Sequence, residues 1–337
     1  MKVTKEFIRP DSGKPASVAL GLFDGIHIGH TKVLQQALKN RELAPCVFTY
    51  TISSFVPQIK KNYLALMPDE QKCAILERMG FVLTARLSGM PDFSSFKDME
   101  PEEFVEKMLI QGMGAKELSC GYDFTFGKGG AGTTETLCRV AERHGVKVNV
   151  VEPVTLDGEP VSSTRIRQAI LEGKMDEASR MLGRRFCLRL KVEHGNCIGR
   201  LLDFPTINQS FPQHHIVPRY GVYSTVVNVA GKLYGGVTNV GVKPTVGSDR
   251  PLSETYILDY SGDLYGQTVE VYFFRFVRPE QKFGSIAELK EQIARDKEDV
   301  AQEVAHNIEQ MLFLDSRAQE PATFEKTVQK LAVFFPC

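Results

Sequence analysis

The chain has 337 residues, of which 42% are hydrophobic and 24% are charged, a composition typical of a folded globular protein that excludes extensive disorder. The chain is longer than a domain with a single hydrophobic core typically is, which indicates two domains. The 41 basic and 41 acidic side chains cancel, so no overall field attracts nucleic acid or an anionic membrane, and we expect neither as a partner.

The amino terminus leads into no apolar signal core, and no apolar run approaches the length of a membrane span. The sequence therefore predicts a cytoplasmic protein.

The seven cysteines are odd in number and scattered, without a C-x-x-C pair, which predicts free thiols that mostly fill the core.

The stretch GLFDGIHIGH at 21–30 follows an apolar run and precedes a helical pattern. The apolar residues within 19–23 predict a short buried strand, and the three glycines allow a tight turn close to a ligand. A helix start offers unpaired N–H groups and a partial positive charge to a phosphate. His27 and His30 would aim two donors at that phosphate; the alternative is that they are solvated or capping residues.

The first half alternates strand and helix patterns, which is typical of a doubly wound α/β domain with a parallel sheet. The strand patterns are 17–20, 45–50, 81–85, 117–120 and 146–151, and the helix patterns are 31–43, 68–79, 101–111 and 133–144.

The strand ending at residue 120 leads into a glycine-rich loop at 121–132. Such a loop can wrap a planar or phosphorylated ligand, with Phe124 and Phe126 offering apolar faces and Asp123 a hydrogen-bond acceptor. A mobile surface loop of similar composition is the alternative.

The stretch VSSTRIR at 161–167 begins a further helix. Its hydroxyl residues are ordinary helix caps, but caps do not explain the two arginines. Arg165 and Arg167 in the first turn oppose the helix dipole, which is unfavourable unless an anion such as a triphosphate is bound there.

A boundary is expected at residues 183 and 184, after which the hydrophobic period changes to two. The strand patterns 187–192, 221–229, 233–240, 254–258 and 268–276 predict a small closed antiparallel β-barrel. A long amphipathic helix at 285–313 follows, with an apolar stripe that includes Ile286, Val300 and Val304.

The segment PTIN at 205–208 presents the Thr206 hydroxyl and the Asn208 amide close together. Oxygen ligands of this kind suit Mg²⁺ bound with ATP phosphates; a structural turn bonded to its own backbone is the alternative. For Glu254, spacing alone favours a solvated carboxylate at a strand end.

Taken together, these stretches resemble the bacterial bifunctional riboflavin kinase/FAD synthetase family. The first half resembles its nucleotidylyltransferase motifs G-x-F-D-G-x-H-x-G-H, G-x-D-F-x-F-G and I-S-S-T-x-I-R. Residues 199–208, 239–245, 254–266 and 278–283 resemble riboflavin kinase. The resemblance implies an N-terminal FMN adenylyltransferase domain at 1–183, a riboflavin kinase barrel with its helix at 184–313, and an extension at 314–337.

Roles for individual residues follow from the resemblance. It implies Glu254 as the general base of the kinase, and His27 and His30 as catalytic groups of the transferase. The implied flavin-binding residues are Asp123, Phe124, Phe126 and Gly127. The implied ATP- and phosphate-binding residues are Gly21, Phe23, Asp24, Gly25, Gly29, Ser162, Ser163, Thr164, Arg165, Arg167, Gly199, Arg200, Thr206 and Asn208, of which Thr206 and Asn208 also hold the metal.

The implied function is FAD biosynthesis from riboflavin in two ATP-dependent steps: riboflavin to FMN in the barrel, then FMN to FAD in the α/β domain. Mg²⁺ would accompany ATP, and the flavins would be substrates and products. The extension has an apolar face, and we expect it to dock on its own chain or on a second subunit, which would make the protein a homo-oligomer. Two departures from the family pattern are Tyr50 to Ser54 in place of F-D-P-H-P, and Asp203 in place of glycine.

Two alternatives differ in class. A nucleotidylyltransferase for another substrate would not explain the barrel. A non-catalytic flavin-binding protein would agree with the altered segment at 50–54, but not with the presence of Glu254, Thr206 and both histidines.

Overall fold

A computed structural model of the chain describes residues 1–51, 63–87, 98–194, 204–242 and 250–318. Its contacts divide the chain into two units, Met1–Ser163 and Thr164–Cys337. The division falls earlier than the predicted boundary at 183 and 184. It groups the helices that precede the barrel with the second unit.

In the first unit, six strands among the described residues form a parallel sheet in the order β1-β4-β3-β2-β5-β6. The strands are β1 Lys2–Thr4, β2 Ala16–Leu20, β3 Ala44–Tyr50, β4 Leu83–Leu87, β5 Ala115–Gly121 and β6 Lys147–Val151. The helices are α1 Ile28–Lys39, α2 Asp69–Arg78, α3 Pro101–Glu103 with a π-helix at Phe104–Gly112, a 3₁₀ turn at Lys128–Gly130, and α4 Thr134–Arg143.

The strand order confirms the doubly wound class. From β2 the sheet continues through β3 and β4 on one side and through β5 and β6 on the other. The order therefore reverses between β2 and β5, and ligands of such sheets bind outside the carboxyl ends of the strands at that point. All five residues of β2 are buried, as expected for a central parallel strand.

The structure differs from the predicted elements in places. The strand β1 was not predicted because it has only three residues, two of them exposed. The predicted strand within 19–23 ends at Leu20, since Phe23 adopts a φ of 52°. Helix α1 begins three residues earlier than predicted, at Ile28, because His27 caps it.

In the second unit, six strands of the described segments form an antiparallel sheet in the order β10-β13-β12-β11-β14-β9. The first unit ends with a hairpin of β7 Thr155–Leu156 and β8 Glu159–Pro160, and helix α5 Ser163–Glu172 begins at its last residue. The remaining elements of the second unit are α6 Met175–Leu182, β9 Phe186–Lys191, β10 Thr206–Ser210, β11 Gly221–Val229, β12 Lys232–Val242, β13 Pro251–Ile257, β14 Thr268–Arg278 and α7 Ile286–Ala318.

A backbone bridge joins the two edge strands of this sheet. The amide of Glu193, just after β9, donates to the carbonyl of Asn208 in β10 at 2.8 Å. The sheet therefore curls into the predicted small barrel. Its interior contains a chain of three buried hydroxyls, in which Thr238 is 2.8 Å from both Thr225 and Thr255.

Helix α7 packs on the outside of this barrel through Val300 and Val304, which are 0% and 2% exposed. Ile286, predicted on the same stripe, is 71% exposed because it is the first residue of the helix.

The cysteine prediction holds for part of the chain. Cys46, Cys73, Cys120 and Cys138 are free, whereas Cys187 is disulfide-bonded and corrects the prediction of free thiols. No helix among the described residues is long and apolar enough to cross a membrane.

Candidate active sites

The first candidate site begins where β2 ends. Phe23, Gly25 and Ile26 all have positive φ values, of 52°, 81° and 35°, and this left-handed turn redirects the chain into α1. The ring of Phe23 is 1% exposed, and a Cβ on Gly21 would lie 3.0 Å from it. Phe23 as a whole is therefore part of the core beneath the turn.

The two histidines lie together at the start of α1, as the sequence predicted. Their rings are stacked, with centroids 3.6 Å apart and planes inclined by 16°. His27 is the N-cap, and its Nδ1 accepts a hydrogen bond from the His30 amide at 3.2 Å. Because Nδ1 is an acceptor here, the proton of a neutral His27 ring is on Nε2, which is therefore a donor. His27 is thus a capping residue and a possible phosphate donor at once.

Gly29 is required by this arrangement. A Cβ at that position would lie 3.1 Å from Cε1 and 3.2 Å from Nδ1 of His27, so a larger residue would displace the ring. The glycine therefore makes room for the histidine rather than for the ligand.

Asp24 has a framework role in the turn. Its carboxylate is buried and accepts hydrogen bonds from the Tyr63 hydroxyl at 2.6 Å and the Leu66 amide at 2.9 Å. Its backbone carbonyl accepts a bond from the Ser163 hydroxyl at 2.9 Å. These contacts join the turn to the segment before α2 and to the first residue of α5.

The predicted phosphate-binding hydroxyls and arginines lie at the start of α5, as expected. Ser162 directly precedes the helix, and Thr164, Arg165 and Arg167 lie in its first residues. Its first turn carries no acidic residue. The two arginines add positive charge at the positive end of the helix dipole, a placement that an anion would stabilise.

The predicted flavin loop follows β5 and is tied to the core. Phe126 is 4% exposed and exchanges two backbone hydrogen bonds with Gly132. Gly127 has a φ of 72°, and a Cβ there would lie 2.9 Å from the Cα of Pro101. The loop is therefore closely packed, which disfavours the alternative of a loose surface loop.

The side chains of this loop differ in access to a ligand. Asp123 is exposed and Phe124 is half-buried, and the Phe124 ring stacks on Phe126 with centroids 5.5 Å apart. Phe126 in turn packs on Phe104 in the core. Asp123 and Phe124 are accessible to a flavin, whereas Phe126 packs against the Phe124 ring on the side of the core.

The second candidate site is a cavity of about 380 Å³ between the outer face of the barrel and α7. Glu254 lies on its wall, with Asn208 and Asn239 as its register partners in β10 and β12. Paired residues on neighbouring strands point to the same face, so the sheet places these three polar residues side by side. Lining residues are Phe204, Thr206, Val222, Val237, Asn239, Glu254, Tyr256, Arg278, Glu280, Gln281, Phe283, Leu289, Ile293 and Asp296.

A buried ion pair forms part of the cavity wall. Arg278 at the end of β14 bonds Asp296 of α7 with two nitrogens, Nε at 2.9 Å and Nη2 at 2.6 Å. Asp296 also accepts a bond from Gln292 at 2.9 Å. The pair fixes α7 against the barrel on the side where the helix covers the cavity.

Comparisons with known proteins match both halves of the chain. The FAD synthetase family model matches residues 9–165, and the riboflavin kinase model matches residues 182–304. A bifunctional riboflavin kinase/FMN adenylyltransferase from Listeria monocytogenes is 32% identical, with 84% of this chain and 90% of that protein covered. One from Pseudomonas fluorescens is 33% identical, with 86% and 93% covered.

The chain belongs to the bifunctional riboflavin kinase/FMN adenylyltransferase family.

A solved structure is also similar to this family member. It is described as a macrolide-efflux protein from Streptococcus pneumoniae, is 31% identical with a TM-score of 0.77, and the match covers 89% of this chain and 98% of that one.

Some predicted site residues fall outside the described part of the chain. These are Gly199 and Arg200, together with Asp203 and positions 52–54 of the departures from the family pattern. Within the described segments, no group of three or more His, Cys, Asp or Glu side chains is arranged to hold a metal ion.

Sequence reasoning predicted no role for several residues of the two sites. Asn239 and Arg278 lie in stretches that resemble riboflavin kinase, but neither was assigned a role, and Asp296 was not singled out. All three line the barrel cavity, where strand register and the packing of α7 bring them together. Lys72 is fully buried beneath the turn after β2. A lysine in an amphipathic helical pattern gives no local signal of burial, because its partners lie elsewhere in the sequence.

Proposed function

We propose that this chain converts riboflavin to FAD in two steps, each at its own site. Riboflavin and ATP give FMN and ADP at the barrel cavity; FMN and a second ATP give FAD and pyrophosphate at the edge of the parallel sheet. The observation that carries the proposal is the position of the two loops at 21–27 and 121–127, which follow β2 and β5, the neighbouring strands between which the sheet order reverses.

That position supports the proposal because the turn proposed to bind phosphate and the loop proposed to bind flavin follow neighbouring strands of one sheet. Neighbouring parallel strands end at the same edge of a sheet. A ligand bound at that edge can therefore reach both the stacked rings of His27 and His30 and the accessible side chains of Asp123 and Phe124. A nucleotide phosphate on one side and a flavin on the other are the two reactants of adenylyl transfer.

In this step an oxygen of the FMN phosphate attacks the α-phosphorus of ATP, and the bond to the β,γ-pyrophosphate breaks. The protein forms no covalent intermediate and acts by positioning the two anions and stabilising the charge that develops. The Nε2–H group of His27 and the ring of His30 are suited to stabilise that negative charge. Arg165 and Arg167, at the start of α5, are proposed to bind the triphosphate.

In the barrel, Glu254 is proposed as the general base. The terminal hydroxyl of the ribityl chain loses its proton to the Glu254 carboxylate as its oxygen attacks the γ-phosphorus, and ADP leaves. Phe204, Tyr256 and Phe283 on the cavity wall offer aromatic surface to the flavin ring. A cavity with apolar walls and a few polar groups at one side is typical of a small-molecule site.

Thr206 and Asn208 fit a magnesium ion that arrives with ATP. They lie two residues apart on β10, so both face the same side, and Asn208 is directly opposite Glu254. Their uncharged oxygens suit Mg²⁺, which keeps several waters and phosphate oxygens as ligands. When bound there, the ion supplies neutralisation of the β- and γ-phosphate charge.

The test is a time course with purified protein, riboflavin, ATP and Mg²⁺, followed by separation of riboflavin, FMN and FAD. FMN should appear first and FAD after it, and FMN supplied with ATP in place of riboflavin should give FAD and pyrophosphate in equal amounts. Omission of Mg²⁺ should stop phosphorylation. A preparation that binds flavin but yields neither product would contradict the proposal and favour a non-catalytic flavin-binding protein.

A further inference from the structure

Lys72, in α2, is a buried cation to which neither proposed reaction assigns a role. Its side chain is 0% exposed, and its ammonium donates to the Tyr50 carbonyl at 2.6 Å and the Thr49 hydroxyl at 3.3 Å. Asp69, one helical turn earlier, lies 3.4 Å away as its ionic partner. A charge so deeply buried is costly unless it is paired and hydrogen-bonded, so its contacts define what it stabilises.

These contacts form a relay to the turn after β2. A lysine ammonium can only donate, so the Thr49 oxygen must accept from Lys72, and the Thr49 proton is left for another partner. That partner is the Leu22 carbonyl, 2.9 Å from the Thr49 oxygen, whereas the Lys72 ammonium itself reaches the same carbonyl by a longer contact of 3.4 Å. Thr49 is itself completely buried, so water cannot replace either bond.

The Leu22 carbonyl lies at the start of the left-handed turn. The next residue, Phe23, has a φ of 52°, a conformation that a bulky residue adopts only when its surroundings impose it. On the other side of the turn, Asp24 accepts its bonds from Tyr63 and Leu66. The carboxylates of Asp24 and Asp69 both favour the charged form of Lys72, against the desolvation that lowers its pKa.

We infer that Lys72 is a positioning residue for FMN adenylyl transfer: through Thr49 it fixes the Leu22 carbonyl, and with it the turn that places His27 and His30. The inference rests on the adenylyl transfer proposed for this unit. Lys72 has no direct contact with the reactants in this scheme; its effect reaches them through the position of α1.

The decisive variants are a matched pair at the middle of the relay. Thr49→Val removes the hydroxyl with little change of shape, whereas Thr49→Ser keeps it. Lys72→Met removes the ammonium, and Lys116→Met, at an exposed position in β5, is the control for loss of a lysine. For each variant, the kcat and KM of FMN adenylyl transfer, riboflavin phosphorylation and the melting temperature are measured.

Lys72→Met and Thr49→Val should lower the kcat/KM of adenylyl transfer about 10- to 100-fold, the range for reacting groups displaced by about an ångström. Riboflavin phosphorylation should be unchanged, and Thr49→Ser should restore most of the loss. A purely structural role predicts instead an unchanged KM and a kcat reduced only by the unfolded fraction; equal kinetics in Thr49→Val and Thr49→Ser would overturn the inference. If Lys72→Met fails to fold, the Thr49 pair still decides.

Amide hydrogen exchange separates this inference from the proposed function. In the absence of any nucleotide, Thr49→Val should speed exchange of residues 22–30 at least tenfold relative to Thr49→Ser. Equal exchange in the pair refutes the relay, whatever the activity. A parent protein that phosphorylates riboflavin but never forms FAD refutes the proposed adenylyl transfer, and the exchange result then stands by itself as the test of Lys72.

Discussion

The two candidate sites are constructed in different ways. At the edge of the parallel sheet, the groups lie on a left-handed turn supported by the buried side chains of Lys72, Thr49 and Asp24. On the barrel, Glu254 and Asn208 lie on paired strands whose register alone places them together. The first site therefore depends on buried side chains behind the turn, whereas the second depends mainly on the side chains that line its cavity.

The double variant His27→Ala with His30→Ala should have the largest effect. Each donor lost from a developing phosphate charge costs about 2.7–4 kcal/mol by analogy with oxyanion sites, so FAD formation should fall by at least about 100-fold. FMN should accumulate from riboflavin, because the barrel is untouched. His144→Ala, at an exposed histidine beside Glu106, is the control; equal loss in the control would remove any special role for the stacked pair.

Asp296→Asn tests how the barrel cavity is kept covered. Breaking one side of a buried ion pair costs about 3–5 kcal/mol, and Asp296 and Arg278 have side chains only 5% and 15% exposed. Denaturant unfolding of the barrel should show that loss. The matched change Asp299→Asn, at a 60% exposed partner of Arg275, should cost at most about 1 kcal/mol. Similar costs for the two changes would show that the pair does not anchor α7.

Glu254→Gln removes the proposed base and should slow riboflavin phosphorylation by about 100-fold or more. The variant should still convert supplied FMN to FAD at nearly the parent rate. Mixing it with the double histidine variant should restore FAD from riboflavin, because FMN can diffuse between chains. Loss of both reactions in a folded single-site variant would refute the proposal that the two reactions occur at separate sites.

The smallest effect concerns the pH dependence of stability. Burial lowers the pKa of Lys72 below its usual 10.5, so between the folded value and 10.5 the unfolded chain binds more protons. Stability of the first unit should then rise with pH in that window, by at most about 1.4 kcal/mol per pH unit. Lys72→Met should lack this rise when unfolding is compared at pH 8 and pH 10. Parallel curves for parent and variant would show that Lys72 titrates normally.

The sequence predicted the architecture well where periodicity is strong. Five of the parallel strands and the long helix α7 were found within a few residues of their predicted limits. The strand β10 was not predicted because the proline before Thr206 favours a turn, and only pairing with β13 makes the segment a strand. Long-range pairing overrides local propensity here.

For the sites, the sequence indicated which residues matter but not how they are supported. The stacked histidines follow from their spacing on a helix. Phe126, by contrast, was predicted to offer a face to flavin, and its burial against Phe104 depends on packing between distant segments. The same holds for Lys72, whose oxygen partners lie more than twenty positions before it in the chain.

The chain of three threonine hydroxyls inside the barrel has a consequence for how mutations there combine. Each hydroxyl has one proton, so Thr238 can donate to Thr225 or to Thr255 but not to both. At least one of the outer hydroxyls, Thr225 or Thr255, must therefore donate to Thr238, so the directions of the two bonds depend on each other. Loss of the Thr238 hydroxyl removes a hydrogen-bond partner from both of the other buried hydroxyls, whereas loss of the hydroxyl at either end leaves one hydrogen bond intact. The free-energy cost of a substitution among these three threonines consequently depends on whether it removes the middle hydroxyl or an end one. The costs of two such substitutions will not add.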